Sequence, residues 1–107
     1  MDVYGFTHGD LEAARAAIEG ALSIRLEEHQ EEAPPAGCYF RVEIPSGPCV
    51  QIRRNSGSFQ RWQGDPSHSW HPAYGLLVFV HGPASESIDE RLRSVSGLSF
   101  LETRQTR

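Results

Sequence analysis

Hydrophobic residues change their spacing along the chain, and the changes outline its elements. Val3 to Phe6 is a short apolar run that predicts a first strand. Thr7-His8-Gly9-Asp10 fits the capping-box spacing, a Ser/Thr followed three residues later by an acid. Leu11, Ala14, Ile18, Ala21 and Leu22 then recur at helical spacing, with Glu12, Arg15 and Glu19 on the opposite side. Gly20 predicts a helix end close by. Ile24 and Leu26 alternate with Arg25 and Glu27, the period of a half-buried strand over residues 23–29. Residues 30–37 hold Glu31, Glu32, Pro34 and Pro35 and predict a loop, because proline cannot donate to a ladder.

Phe40, Val42 and Ile44 alternate with Tyr39, Arg41 and Glu43; Val50 and Ile52 alternate with Gln51 and Arg53. Pro45-Ser46-Gly47-Pro48 between them is turn chemistry, so the two runs predict a β-hairpin. The hairpin should bury its apolar set and show Tyr39, Arg41, Glu43, Gln51 and Arg53 outward. Residues 55–74 are punctuated by Asn55, Gly57, Gly64, Pro66 and Pro72 and read as irregular, although Phe59 and Trp62 need burial. Leu76 to Val80 is apolar at every position, as in a central strand covered on both faces. Ser87-Ile88-Asp89-Glu90 repeats the capping-box spacing, Ile88, Leu92 and Val95 form a helical stripe, and Gly97 stands where a C-cap glycine belongs. Leu98 to Thr103 predicts a last strand. The order β-α-β-β-β-β-α-β over residues 1–107 predicts one α+β domain, a mostly antiparallel sheet with two helices packed on one face.

Length and charge narrow the function classes. A chain of 107 residues has the size of one domain and can bury an ordinary core without disulfides or metal. No run approaches the roughly 18 apolar residues of a membrane span. Met1-Asp2-Val3-Tyr4-Gly5 lacks the basic-then-apolar start of a secretory signal, so a cytoplasmic protein with no membrane partner is expected. Ten Arg and no Lys stand against fourteen acids, a net charge of −4. Direct binding to nucleic acid needs a basic field, which this balance lacks. Residues 1–32 carry eight acids and two Arg, net −6, whereas residues 33–82 are net +2. An acidic third suits a basic protein partner through complementary potential, or is a solvated face.

Candidate chemistry is sparse. Cys38 shares a face with Phe40 and Val42, while Cys49 falls on the face opposite Val50, so two free thiols are expected. His68-Ser69-Trp70-His71 has a gap that can chelate, but a closed zinc site needs about four ligands and only Asp65, His81 or a cysteine could complete it. No metal and no cofactor is expected. Trp62, His68, Trp70, His71 and Tyr74 form a contact surface, or the two Trp side chains fold back as a lid on the core. Nucleophile-elbow, phosphate-loop and dinucleotide-binding signatures are absent, so no enzyme is expected. Glu27, Glu28, Glu31 and Glu32 set four carboxylates within six residues, a repulsion that costs stability unless offset. They are either solvated surface or a docking site for a partner's Lys and Arg.

Val3-Tyr4-Gly5-Phe6 leads into Asp10-Leu11-Glu12-Ala13-Ala14, then Ile18-Glu19-Gly20-Ala21-Leu22, Ile24-Arg25-Leu26-Glu27-Glu28-His29 and Gly37-Cys38-Tyr39-Phe40-Arg41. In segment order and hydrophobic pattern, over most of its length, the chain resembles the small immunity proteins of bacterial contact-dependent growth inhibition and related polymorphic toxin systems. Residues 55–74 depart from the pattern. The resemblance implies a cytoplasmic protein without catalytic activity that binds the C-terminal toxin domain of a large delivered protein. That domain is often a basic nuclease, and binding blocks its active site or substrate path. The residues expected to meet it are Glu27, Glu28, Glu31, Glu32, Tyr39, Arg41, Trp62, Asp65, Trp70 and Tyr74. Two other functions remain open: a small-molecule or regulatory module using the 59–74 loop, and a small hydrolase or nuclease using His68, His71 and His81.

Overall fold

The computed structural model describes residues 1–31, 37–55, 71, 73–82 and 86–103. Its elements follow the expected order: β1 (Asp2–Phe6), α1 (Leu11–Leu22), β2 (Glu27–Glu31), β3 (Gly37–Glu43), β4 (Cys49–Arg54), β5 (Leu76–His81), α2 (Glu86–Arg93) and β6 (Leu98–Thr103). The strands form one sheet in the order β2-β3-β4-β5-β1-β6, with every neighbouring pair antiparallel. Strand direction therefore alternates across the sheet. β1 and β2 run the same way, as do β5 and β6, so each of these two connections is a crossover carrying a helix. No helix among the described residues is long and apolar enough to cross a membrane.

Both helices cover the same face. Leu11, Ala14, Ile18 and Leu22 of α1 and Ile88 and Leu92 of α2 pack on Tyr4, Phe6, Phe40, Val50, Ile52, Leu76, Val78 and Val80. These strand residues sit at even positions, as the period of 2 requires. β5 is buried along Leu76–Val80 because its odd positions, Leu77 and Phe79, join Val3 in a second, smaller core on the other face. Met1, Tyr74 and Leu101 pack against that second cluster.

Several boundaries differ from the expectation, each for a local reason. The N-cap of α1 is Asp10, whose carboxylate accepts the Ala13 N–H at 3.1 Å. Thr7 lies further out, and His8 Nδ1 accepts the Asp10 N–H at 3.1 Å. The helix runs past Gly20 to Leu22 and stops at Ser23, which takes a left-handed φ of 55°. The buried stripe outweighs one interior glycine, a cost of about 1 kcal/mol. Residues 23–26 are a turn and not strand: Ile24 N–H donates to the Glu19 carbonyl, and Leu26 N–H donates to the Glu19 carboxylate at 2.7 Å.

The ladder of β2 then extends beyond residue 29. Gln30 opposes Cys38 and Glu31 opposes Gly37, so the loop expected from residue 30 starts later. At α2, Ser87 lies inside the first turn and not at the cap, since the helix begins at Glu86. Gly97, at φ 81°, serves the turn between α2 and β6 several residues past the helix end.

Candidate functional site

Alternation along β2, β3 and β4 sends one set of side chains to the face away from the helices, and the register arranges them in rows. His29 opposes Tyr39. Their rings stack with centroids 5.2 Å apart and planes 17° apart. The Arg53 guanidinium of β4 lies 3.7 Å from the centroid of the Tyr39 ring, and its Nε donates to Gln51 Oε1 at 3.0 Å. Arg53 was expected to point into solvent; it lies on the outward face but is only 8% exposed. A planar guanidinium can stack flat on an aromatic ring, which makes its burial tolerable. Tyr39 is thus held in place by contacts from β2 and from β4.

The neighbouring row runs from Glu27 to Arg41 to Gln51. Arg41 pairs with Glu43 on its own strand, and that hydrogen bond holds the guanidinium pKa above its ordinary value. The Glu27 carboxylate stands 3.8 Å from His29 Nε2, with its side chain 74% exposed. A shallow cleft of about 230 Å³ lies among Glu27, Arg41, Val42 and Glu43. This half of the face therefore presents Tyr, Arg and His held in place by their neighbours, bordered by carboxylates.

Within the expected four-carboxylate cluster, the fold separates Glu27 from Glu28. Glu27 and Glu28 lie on opposite faces of β2. Glu28 turns to the helix side, where it accepts from Gln30 Nε2 and from the Cys38 thiol, each at 3.3 Å. Glu31 holds a ladder position opposite Gly37 and is not in a loop. Other acids of the N-terminal third serve the fold: Asp10 caps α1, Glu12 and Glu19 pair with Arg15, and Asp2 accepts from the Thr103 hydroxyl. Tyr74 is displaced from Tyr39 along the same face. Its ring lies over Gly5, so close that a Cβ there would meet it at 2.8 Å. Tyr74 thus packs against the second core cluster. Glu32, Trp62, Asp65, His68 and Trp70 lie outside the described residues.

The remaining histidines are scattered. His71, at φ 51°, joins its Nε2 to Glu102 of β6 at 2.5 Å, while Asn55 Nδ2 donates to the His71 and Tyr74 carbonyls. His81 opposes Cys49, and both line a cleft of about 530 Å³ at the hairpin end. Burial pushes the Cys49 thiol pKa up, away from the thiolate that a nucleophile needs. Cys38 is raised as well, by burial and then by Glu28. Both cysteines are free and stand on opposite faces of the sheet, as parity implied. Among the described residues, no three His, Cys, Asp or Glu converge on a metal-sized site.

The sequence points to Tyr39 and Arg41, and sets Gln51 and Arg53 on the same outward hairpin face, but gives no sign of His29 as a site residue. Parity with Tyr39 is the available signal for Gln51 and Arg53; the pairing register, which places His29, is not. No protein-family model, curated protein or solved structure matches the chain.

Proposed function

We propose that the chain is an immunity protein that binds a cognate toxin domain and occludes its active site or substrate path. The observation that carries this reading is Tyr39, clamped between His29 and Arg53 with Arg41 beside it, on a sheet face turned away from the main core. Tyr and Arg dominate interface hot spots. Side chains already held in one arrangement lose little freedom on binding. Glu27 and Glu43 flank Arg41 and give the rim an acidic border that steers a basic domain. A nuclease fits that description, because it carries its own field for phosphates. Glu28 drops out of the contact set, since it faces the helix side.

Co-production with a candidate toxin domain tests the reading. Wild-type chain should rescue growth and co-purify with the toxin. Tyr39→Ala, with native circular dichroism, should weaken the complex by about 2 kcal/mol, roughly 30-fold. Glu27→Gln should slow association several-fold at low salt and little at high salt. An absent complex, or an affinity that neither Tyr39→Ala nor Arg41→Ala changes, overturns the proposal.

A further inference from the structure

At the hairpin end of the sheet, the outward face collects soft donors in one row. Register sets Cys49 opposite His81, with Glu43 on the other side of Cys49. One step past the Asp2–Val80 pair, the β1–β5 register brings Met1 level with His81. Cys49, His81 and Met1 share the parity of Gln51, Phe79 and Val3, so all three side chains leave the sheet on the side away from the helices. Met1 packs there against the cluster of Val3, Leu77 and Phe79. Cys49 is only 7% exposed, and the cleft of about 530 Å³ that it lines together with His81 leads to it.

We propose that the thiolate of Cys49, the imidazole of His81 and the thioether of Met1 bind one cuprous ion. The inference does not depend on toxin binding. Sulfur ligands select monovalent copper, and imidazole suits it as well. Directly opposed side chains on neighbouring strands have Cβ atoms about 4.5–5.5 Å apart. Two metal–ligand bonds of about 2–2.3 Å bridge such a gap. Methionine has three rotatable bonds, which let its sulfur reach the same ion from the next strand. Charge and hardness select against a divalent ion. Glu43, the carboxylate opposite Cys49, is paired with Arg41, and among the described residues His, Cys, Asp and Glu offer no set of three. Arg41 also acts on Cys49 itself, against burial and in favour of the thiolate. A cuprous ion replaces the thiol proton charge for charge, with the proton released to water. A dication would add a positive charge in the field of Arg41.

Anaerobic titration of the full chain with cuprous ion, in competition with the coloured chelator bicinchoninate, provides the test. A Cys38→Ser background leaves Cys49 as the single thiol. The chain should withdraw one equivalent of copper from the chelator and gain a thiolate–copper band in the ultraviolet. The His81 ring signals in the proton spectrum should move with cuprous ion and stay in place with zinc at the same concentration. Cys49→Ser should lose the bound copper. Loss of an outer partner costs about 10–100-fold in metal affinity, so loss of a direct ligand in His81→Ala, or in Met1→Leu made with a removable N-terminal fusion, should cost at least about tenfold. Native circular dichroism qualifies each variant, and His81→Ala decides if Cys49→Ser fails to fold. Copper left on the chelator, an affinity that folded His81→Ala or Met1→Leu leaves unchanged, or zinc moving the His81 signals as far as copper does overturns the proposal.

Discussion

Replacing Tyr4 by Phe removes a single hydroxyl from the core beneath α2. The ring is 1% exposed, and its hydroxyl donates to Asp89 Oδ1 at 2.6 Å. A hydrogen bond to a charged acceptor contributes about 1.5–3 kcal/mol. Asp89 is only half-buried, so water replaces part of the lost bond, and the cost should sit near the lower end, about 1.5 kcal/mol. With a urea slope of about 1–1.5 kcal/mol per M for a chain this size, the midpoint should fall by roughly 1 M.

A second readout isolates the same group. Burial first, then the bond to Asp89, raise the Tyr4 pKa far above the ordinary 10. The stability this confers is fully present below pH ~10, where the unfolded chain also keeps its proton, and is lost as pH climbs toward the folded value. The wild-type loss should approach about 1.4 kcal/mol per pH unit more than in Tyr4→Phe. Urea unfolding at pH 7 and from pH 9 to 11 measures both effects. A change below about 0.3 kcal/mol at pH 7, or identical alkaline slopes, would refute the reasoning.

Three further outcomes are expected. Gly20→Ala should stabilise the protein by about 0.5–1 kcal/mol in thermal unfolding, because Gly20 lies inside α1 with nothing within 4 Å of an added Cβ. Gly5→Ala should destabilise by about 1–3 kcal/mol, because its Cβ would meet the Tyr74 ring at 2.8 Å and Leu101 at 2.9 Å. Thiol titration without reductant should count two thiols in the denatured chain. In the native protein Cys49, buried with its pKa raised, should react more slowly than the half-buried Cys38; a zero count in a monomer contradicts their placement on opposite faces.

Periodicity made the faces of the elements legible. The side-chain period of a strand is 2, so Phe40, Val42, Val50 and Ile52 could only turn together toward the helices. What periodicity lacks is partner choice. That β1 inserts between β5 and β6 follows from which strands meet across long stretches of chain, and no local pattern encodes it. Boundaries moved where a side chain satisfied the backbone at a distance. The Glu19 carboxylate takes the Leu26 N–H from seven residues away, so a turn with partly buried Ile24 and buried Leu26 mimics strand alternation. Thr7 and Asp10 both suit an N-cap, and only the observed bond to Ala13 separates them.

Charge summed along a sequence is not charge on a surface, and the candidate site turns on that difference. The −6 of residues 1–32 reads as one acidic docking patch only while each acid is assumed free. In the fold Asp2, Asp10, Glu12, Glu19 and Glu28 each acquire a hydrogen-bond or ion-pair partner, and Glu28 faces away from Glu27. The aromatic and cationic residues behave in the opposite way. Scattered at 29, 39 and 53, they look unrelated until the register lays β2, β3 and β4 side by side and brings them into contact. Parity already placed Tyr39 and Arg53 on one face. The stacking needs the pairing as well, and pairing is a property of three strands together. A site made of rows across a sheet is therefore visible in sequence as a set of residue types on one face. Its contacts, and with them the reason to favour Tyr39 over the acidic run, appear only when the strands are aligned.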